Sequence, residues 1–286
     1  MNKKIYRIAE IHGMCGGVYA ALETLEKLLV SQKSEIFVFQ ELVHNCAVTA
    51  SFEQRGVSFV RNIDEIPDGS TVVIGAHGVA AETENVLRRK AAICYDTTCP
   101  LVKNLHNIVS ALSPADQLII FGKADHPEIA GVIGNSGTPQ IFLISSPDEV
   151  DALPELSAPV FLSQTTVDHI AVEKSLEKLK KRFPALQDYS GICPASRERQ
   201  QAVLRLAEKV DCIIVVGSAH SSNAGRLRQI AETAGCAAFL VDNAGELPGE
   251  VFNFSRIGVT GGASTPLYLI DEVVAVLESA GFVNGD

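Results

Sequence analysis

Three cysteines are the residues most able to do chemistry together in this chain. Cys15, Cys99 and Cys193 each stand where an apolar run ends and a helical pattern begins. Backbone N–H groups and the positive end of the helix dipole face such a thiol and favour its thiolate. The stretch Asp96-Thr97-Thr98-Cys99-Pro100-Leu101-Val102 is the clearest case. Leu101, Val102, Leu105, Ile108, Val109 and Leu112 continue at helical spacing, Thr97 or Thr98 is placed to cap the helix, and Pro100 suits its first turn. No C-x2-C pair exists, which disfavours zinc, and a Cys–His nucleophile needs one cysteine rather than three in equivalent settings. Three thiolates converging on one axis suit a cubane iron–sulfur cluster, a 4Fe–4S centre with three cysteine ligands and one iron left open to an oxygen ligand. Cys46, Cys94, Cys212 and Cys236 lie in apolar or strand contexts and read as small core hydrophobes.

The polar residues that could surround an open iron recur at the ends of apolar runs. They are His44, His77, His126, Glu128, Thr165, Thr166, Ser221, Ser222, Asn223 and Ser264. Histidines and hydroxyls of this kind hold a diphosphate by many hydrogen bonds. Glu128 is the one carboxylate among them and the candidate acid. There is no Walker A motif and no G-x-G-x-x-G, so nucleotide binding lacks support.

The elements that must position these residues repeat three times. In the first unit, strands are expected at Ile5–Ile11, Glu35–Phe39, Val57–Val60 and Thr71–Ile74, with helices after Cys15 and from about Ala47. The second has strands at 91–95, Gln117–Phe121, Gln140–Ile144 and Pro159–Leu162. The third has them near Tyr189–Ile192, then at Cys212–Val216, Ala237–Val241 and Arg256–Thr260, with a helix through Val203, Leu204, Ala207 and Val210. Spacings agree: 29 residues from Cys15 to His44, 27 from Cys99 to His126 and 28 from Cys193 to Ser221. A second set agrees too: 62 from Cys15 to His77, 66 from Cys99 to Thr165 and 71 from Cys193 to Ser264. The repeat divides the chain at 15–98, 99–192 and 193–286, with the strand of residues 1–14 packing near the centre. Alternating strands and helices predict an α/β fold with small parallel sheets, whose ligands bind beyond the carboxyl ends of the strands.

Composition narrows the class. The chain has 286 residues, 47% of them hydrophobic, enough for substantial cores. No apolar run approaches the roughly 18 residues of a membrane span, and no signal-peptide core opens the chain, so no membrane association and a cytoplasmic protein are expected. Seven cysteines form no disulfide framework. A net charge of −10 argues against nucleic acid as a partner, while local donors can still hold an anionic small molecule.

The motifs Cys15-Gly16-Gly17-Val18, Glu41-Leu42-Val43-His44-Asn45, Ala76-His77-Gly78-Val79, Thr98-Cys99-Pro100-Leu101-Val102, His126-Pro127-Glu128, Gln164-Thr165-Thr166, Ser221-Ser222-Asn223 and Gly258-Val259-Thr260-Gly261-Gly262-Ala263-Ser264 fall in one order along nearly the whole chain. In this the sequence resembles the 4-hydroxy-3-methylbut-2-enyl diphosphate reductase family, the last enzymes of the methylerythritol phosphate route to isoprenoids. The resemblance implies a trefoil of three pseudo-threefold-related α/β domains around a 4Fe–4S cluster held by Cys15, Cys99 and Cys193. It implies that His44, His77, Ser221, Ser222, Asn223 and Ser264 grip the diphosphate of an allylic substrate. His126 and Thr165 would flank the substrate hydroxyl, and Glu128 would relay protons. Two electrons, from a donor such as ferredoxin or flavodoxin, and two protons would remove the hydroxyl as water, giving isopentenyl or dimethylallyl diphosphate. The chain departs from the family pattern at Ala20, Lys123, Pro194 and Glu198. Two other readings stand beside the reductase at this point: a paralogous iron–sulfur reductase or dehydratase acting on another small molecule, and a non-catalytic iron–sulfur redox sensor.

Overall fold

A computed structural model describes residues 3–31 and 34–285. In chain order the elements are β1 (Ile5–Ile8), α1 (Gly16–Ser31), β2 (Ile36–Phe39), α2 (Cys46–Glu53), β3 (Val57–Val60), β4 (Thr71–Ile74), α3 (Ala81–Lys90), β5 (Ile93–Asp96), α4 (Pro100–Ser110), β6 (Leu118–Phe121), α5 (Pro127–Gly134), β7 (Ile141–Ile144), β8 (Val160–Ser163), α6 (His169–Arg182) and β9 (Gln187–Asp188). They continue with α7 (Pro194–Ala207), β10 (Cys212–Val216), α8 (Ser222–Thr233), β11 (Ala237–Val241), β12 (Arg256–Gly261), α9 (Leu267–Ser279) and β13 (Val283–Asn284).

The strands form three parallel sheets, in the orders β3-β2-β4-β5, β7-β6-β8-β9 and β11-β10-β12-β1-β13. The fold is α/β, as expected. One order is used three times. In each sheet the fourth strand (β5, β9 or β1) is the one that leads to a cysteine.

By contacts the chain divides into two compact units. The first takes the chain up to Tyr19, Val43–Phe52 and Pro194 onward. The second takes Ala20–Leu42 and Glu53–Cys193. In the first unit the five-stranded sheet is buried on both faces, which is why β10 is the unbroken apolar run Cys-Ile-Ile-Val-Val. Cys212, Ile214 and Val216 join Leu269, Ile270 and Val273 of α9 on one side. Ile213 and Val215 join Val203 of α7 and Leu227 of α8 on the other. In the second unit Leu118, Ile120 and Leu162 pack with Leu105 and Val109 of α4, while Ile119, Phe121 and Phe161 face Val172 and Leu179 of α6.

Two expected strands end early, each for a local reason that serves a cysteine. β1 stops at Ile8 rather than Ile11. His12 Nδ1 lies 2.6 Å from the Ala9 carbonyl, and Gly13 takes a φ of 72°, so the chain turns off the sheet toward Cys15. β9 covers Gln187–Asp188 rather than Tyr189–Ile192. Asp188 Oδ1 accepts from the Ser190 N–H at 2.9 Å and its hydroxyl at 2.6 Å, an Asx turn that ends the strand. The helices α3, α5, α6, α8 and α9 stand where the sequence pattern assigned no element. α3 buries only Leu87, too little to mark a helical stripe.

Candidate active site

Each cysteine is pinned in the same way to the loop that follows a strand. The Cys15 N–H donates to the Ala263 carbonyl at 2.9 Å, that of Cys99 to Ala76 at 2.9 Å, and that of Cys193 to Thr165 at 3.0 Å. The accepting loops follow β12, β4 and β8. They are the loops that carry Ser264, His77 and Thr165. One backbone bond per cysteine, each joining two different repeats, therefore sets a thiol beside a loop of candidate substrate donors.

The thiols differ from the other cysteines. All seven cysteines are unbridged and Cys94 on β5 is half-buried too, so what sets Cys15, Cys99 and Cys193 apart is that α1, α4 and α7 begin directly after them. Cys99 is itself the cap of α4, with no side-chain capping bond. This corrects the expected threonine cap: the Thr97 hydroxyl donates to the Ile74 carbonyl at 2.6 Å, and the Thr98 hydroxyl is taken by Asp96. The first-turn N–H groups of α4 are thus left facing the Cys99 side. Cys212 and Cys236 are buried, and burial pushes the Cys212 thiol up to about 12, so it stays protonated. Cys46 overturns the expectation of a core residue. It is exposed at the start of α2, with Sγ 3.4 Å from the Ser218 hydroxyl.

In the second unit, β6 ends before His126, which caps α5: its Nδ1 accepts from the Glu128 N–H at 3.2 Å. Pro127 sits in the first turn, where its fixed φ suits a helix start. Glu128 is 1% exposed and does not cap. It accepts from the Thr165 N–H at 2.7 Å and from the Thr165 hydroxyl at 2.8 Å. Burial pushes its carboxyl up to about 7, against those two bonds, which favour the charged form. His126 also meets His77 edge-on, with ring centroids 5.5 Å apart. His77, His126, Glu128 and Thr165 therefore form one contiguous group. Thr166 is turned aside, accepting at 3.0 Å from Gln164 Nε2.

In the first unit, the Ser264 hydroxyl donates to the His44 carbonyl at 2.9 Å. Ser221 caps α8 by accepting from Ala224 N–H at 3.3 Å, and Ser222 opens that helix. Asn223 is buried, and neither polar atom of its amide meets a protein partner. A buried amide with nothing to bond is costly, and its presence is expected where a ligand completes it.

Two supporting residues escaped the sequence analysis. Arg199 is buried and donates to the Gly13 carbonyl at 3.0 and 2.7 Å, holding the turn before Cys15. Gln164 accepts from Lys123 N–H at 3.1 Å, tying the loop before His126 to the one bearing Thr165. A buried arginine on a mostly polar helix carries no periodic signal, and Gln164 is marked only by standing next to Thr165.

The chain matches the model of the LytB protein over residues 6–278. It belongs to the LytB family. A 4-hydroxy-3-methylbut-2-enyl diphosphate reductase of Methylococcus capsulatus is 38% identical over 96% of this chain and 90% of its own length. One of Francisella philomiragia is 36% identical over 93% of this chain and 86% of its own. Among solved structures, the E-1-hydroxy-2-methyl-but-2-enyl-4-diphosphate reductase from Plasmodium falciparum superposes with a TM-score of 0.92 at 29% identity, covering 99% of this chain and 91% of its own. A second structure, of an (E)-4-hydroxy-3-methyl-but-2-enyl diphosphate reductase named as the terminal enzyme of the non-mevalonate pathway, gives a TM-score of 0.68 at 27% identity, over 98% of this chain and 100% of its own. Among the described residues no helix is long and apolar enough to cross a membrane.

The buried carboxyl makes stability depend on pH in a stated direction. Its folded value lies above the unfolded one, so its neutral form stabilises the fold at low pH. That contribution fades as pH rises from about 4.5 to about 7. Glu128→Gln removes the dependence. The variant should gain on the wild type by about 3 kcal/mol across that interval, read from denaturant unfolding at several pH values.

Proposed function

We propose that this LytB-family chain removes the hydroxyl of (E)-4-hydroxy-3-methylbut-2-enyl diphosphate as water, consuming two electrons and two protons and releasing isopentenyl and dimethylallyl diphosphates. The observation that carries the reading is the pin repeated three times, which sets each of three half-buried thiols at a helix start beside a donor-bearing loop. Such a donor set fits a 4Fe–4S cluster: three thiols and no fourth equivalent one, while Cys212 and Cys236 are held protonated in the core. Cys15, Cys99 and Cys193 are the proposed ligands. When bound, the cluster supplies electrons and one iron without a protein ligand. The chain's own residues do the rest.

His44, His77, Ser221, Ser222, Asn223 and Ser264 hold the diphosphate, with Thr166 in support through Gln164. His126 and Thr165 flank the substrate hydroxyl. Glu128, with a carboxyl pushed up to about 7, is half protonated at neutral pH and passes its proton through the Thr165 hydroxyl to the departing oxygen. The three stretches 15–98, 99–192 and 193–286 are the repeats that each carry one proposed cluster ligand. Electrons come from an external carrier of the ferredoxin or flavodoxin type, in the cytoplasm.

The test is an anaerobic assay of the cluster-loaded, reduced protein with the allylic diphosphate, following both five-carbon products. A loaded protein that consumes none of this substrate refutes the reading. Asn223→Ala gives a separate check. It should weaken diphosphate binding roughly ten- to hundredfold, yet leave the unfolding midpoint of the ligand-free protein unchanged or raised, because it removes an unpartnered buried amide. Calorimetric titration with pyrophosphate and a thermal melt read the two effects.

A further inference from the structure

We propose that His106, which lies outside the proposed substrate set, is the positioning residue that fixes the His77 loop against the helix bearing His126 and Glu128. The proposal rests on the reductase reading of that site. His106 lies on α4, two turns beyond Cys99, and is 7% exposed. Its ring fills the space between two glycines. A Cβ at Gly78, the residue after His77, would stand 2.7 Å from His106 Cε1, and Gly78 also takes a φ of 68°. A Cβ at Gly131, one turn along α5 from Glu128, would stand 3.0 Å from His106 Nε2. The same point lies 3.7 Å from the His77 carbonyl oxygen.

Other contacts make the loop and the helix a close-packed pair around this ring. Asn135, at the end of α5, donates from Nδ2 to the Val79 carbonyl at 2.8 Å and to the Gly131 carbonyl at 2.7 Å. Gly134 abuts Ala80, where a Cβ would meet the alanine methyl at 2.3 Å. Glycines at 131 and 134 thus present a flat face of α5 to residues 77–80. His106 sets the spacing at the end of that face nearest His77 and Glu128. Burial lowers its basicity, so the ring is neutral, and its Nε2 has no protein partner. A neutral ring adds no charge beside Glu128. Its bulk, rather than a hydrogen bond, does the positioning.

Close packing transmits such a spacing, because a filled interior shifts when one methyl is added or removed. A displacement near 1 Å in a site of this kind costs up to about a hundredfold in rate. The experiment compares His106→Asn, Gly131→Ala and the double variant. Each is checked for iron content and thermal midpoint, then titrated with inorganic pyrophosphate and assayed for kcat across pH. Both single variants should keep iron, bind pyrophosphate about tenfold more weakly, and lower kcat by about tenfold or more with a displaced pH profile. In the double variant the smaller asparagine makes room for the methyl, so most of the Gly131→Ala loss should return. Wild-type pyrophosphate affinity and an unmoved pH profile in His106→Asn would overturn the proposal, as would losses that simply add in the double variant. If His106→Asn does not fold, Gly131→Ala decides: a folded variant with wild-type affinity and profile overturns the proposal. A wild type that binds pyrophosphate but reduces no allylic diphosphate strikes down the reductase reading, and the pyrophosphate titrations still decide on His106.

Discussion

Cys99→Ser, purified without oxygen, should carry little or no intact cluster. The same result is expected for Cys15→Ser and Cys193→Ser, because each is the one proposed ligand in its repeat. A serine oxygen is a harder and more basic ligand than a thiolate and replaces it poorly on iron. The backbone pin should survive, since it uses the N–H of residue 99 and the carbonyl of Ala76 rather than the side chain. The variant should therefore fold, with a far-ultraviolet spectrum like the wild type, and lack the visible absorption of the cluster. Cys46→Ser is the control. That thiol is exposed at the start of α2, outside the three pins, and its loss should leave four irons in place. Equal iron loss in Cys46→Ser and Cys99→Ser would break the threefold assignment.

Glu128→Gln should keep the cluster and bind substrate with nearly normal affinity, yet lose about two or more decades in turnover. The amide preserves the bond from the Thr165 N–H, and its NH2 group meets the Thr165 hydroxyl, which then accepts. What disappears is the proton. A carboxyl pushed up to about 7 is half protonated at neutral pH, whereas an ordinary exposed glutamate would have lost nearly all of its protons. In the wild type, turnover should fall as pH rises past this value. In the variant that fall should be missing from whatever activity is left. Near-normal turnover in Glu128→Gln would move the proton to another group.

The strands and the pocket were legible in the sequence to different degrees. β4, β10 and β11 are apolar runs closed by small or polar residues, and their limits agree with the structure. β4 and β10 are buried on both faces, which makes their pattern continuous, and β11, at the sheet edge and only partly buried, still reads as an unbroken apolar run. α3 was not legible, because one buried leucine in ten residues leaves no stripe. Cys46 was misread because it follows Leu42 and Val43, which are buried, while its own place at a helix start turns it outward. The three thiols and the polar residues at strand ends stand out in the sequence by their recurrence. The pins between them do not, since a backbone bond between Cys15 and Ala263 leaves no mark on residue type. Glu128 stands out as a lone carboxylate, but the two hydrogen bonds it accepts from Thr165 and the value near 7 that burial gives it leave no mark on residue type.

The first strand of the chain is also the last to find its neighbours. β1 pairs with β12 at Ile5–Arg256 and with β13 at Ile5–Val283. During synthesis those partners emerge roughly tens of seconds after Ile5, at about 5–20 residues per second. Until then the Cys15 turn has no sheet beside it, and its pin to Ala263 cannot form. On the proposed ligand set, a cluster held by all three thiols would wait for β12 to emerge. A polypeptide that stops short of β12 would leave Cys15 without its pin, and on the proposed ligand set such a product would lack its third thiolate.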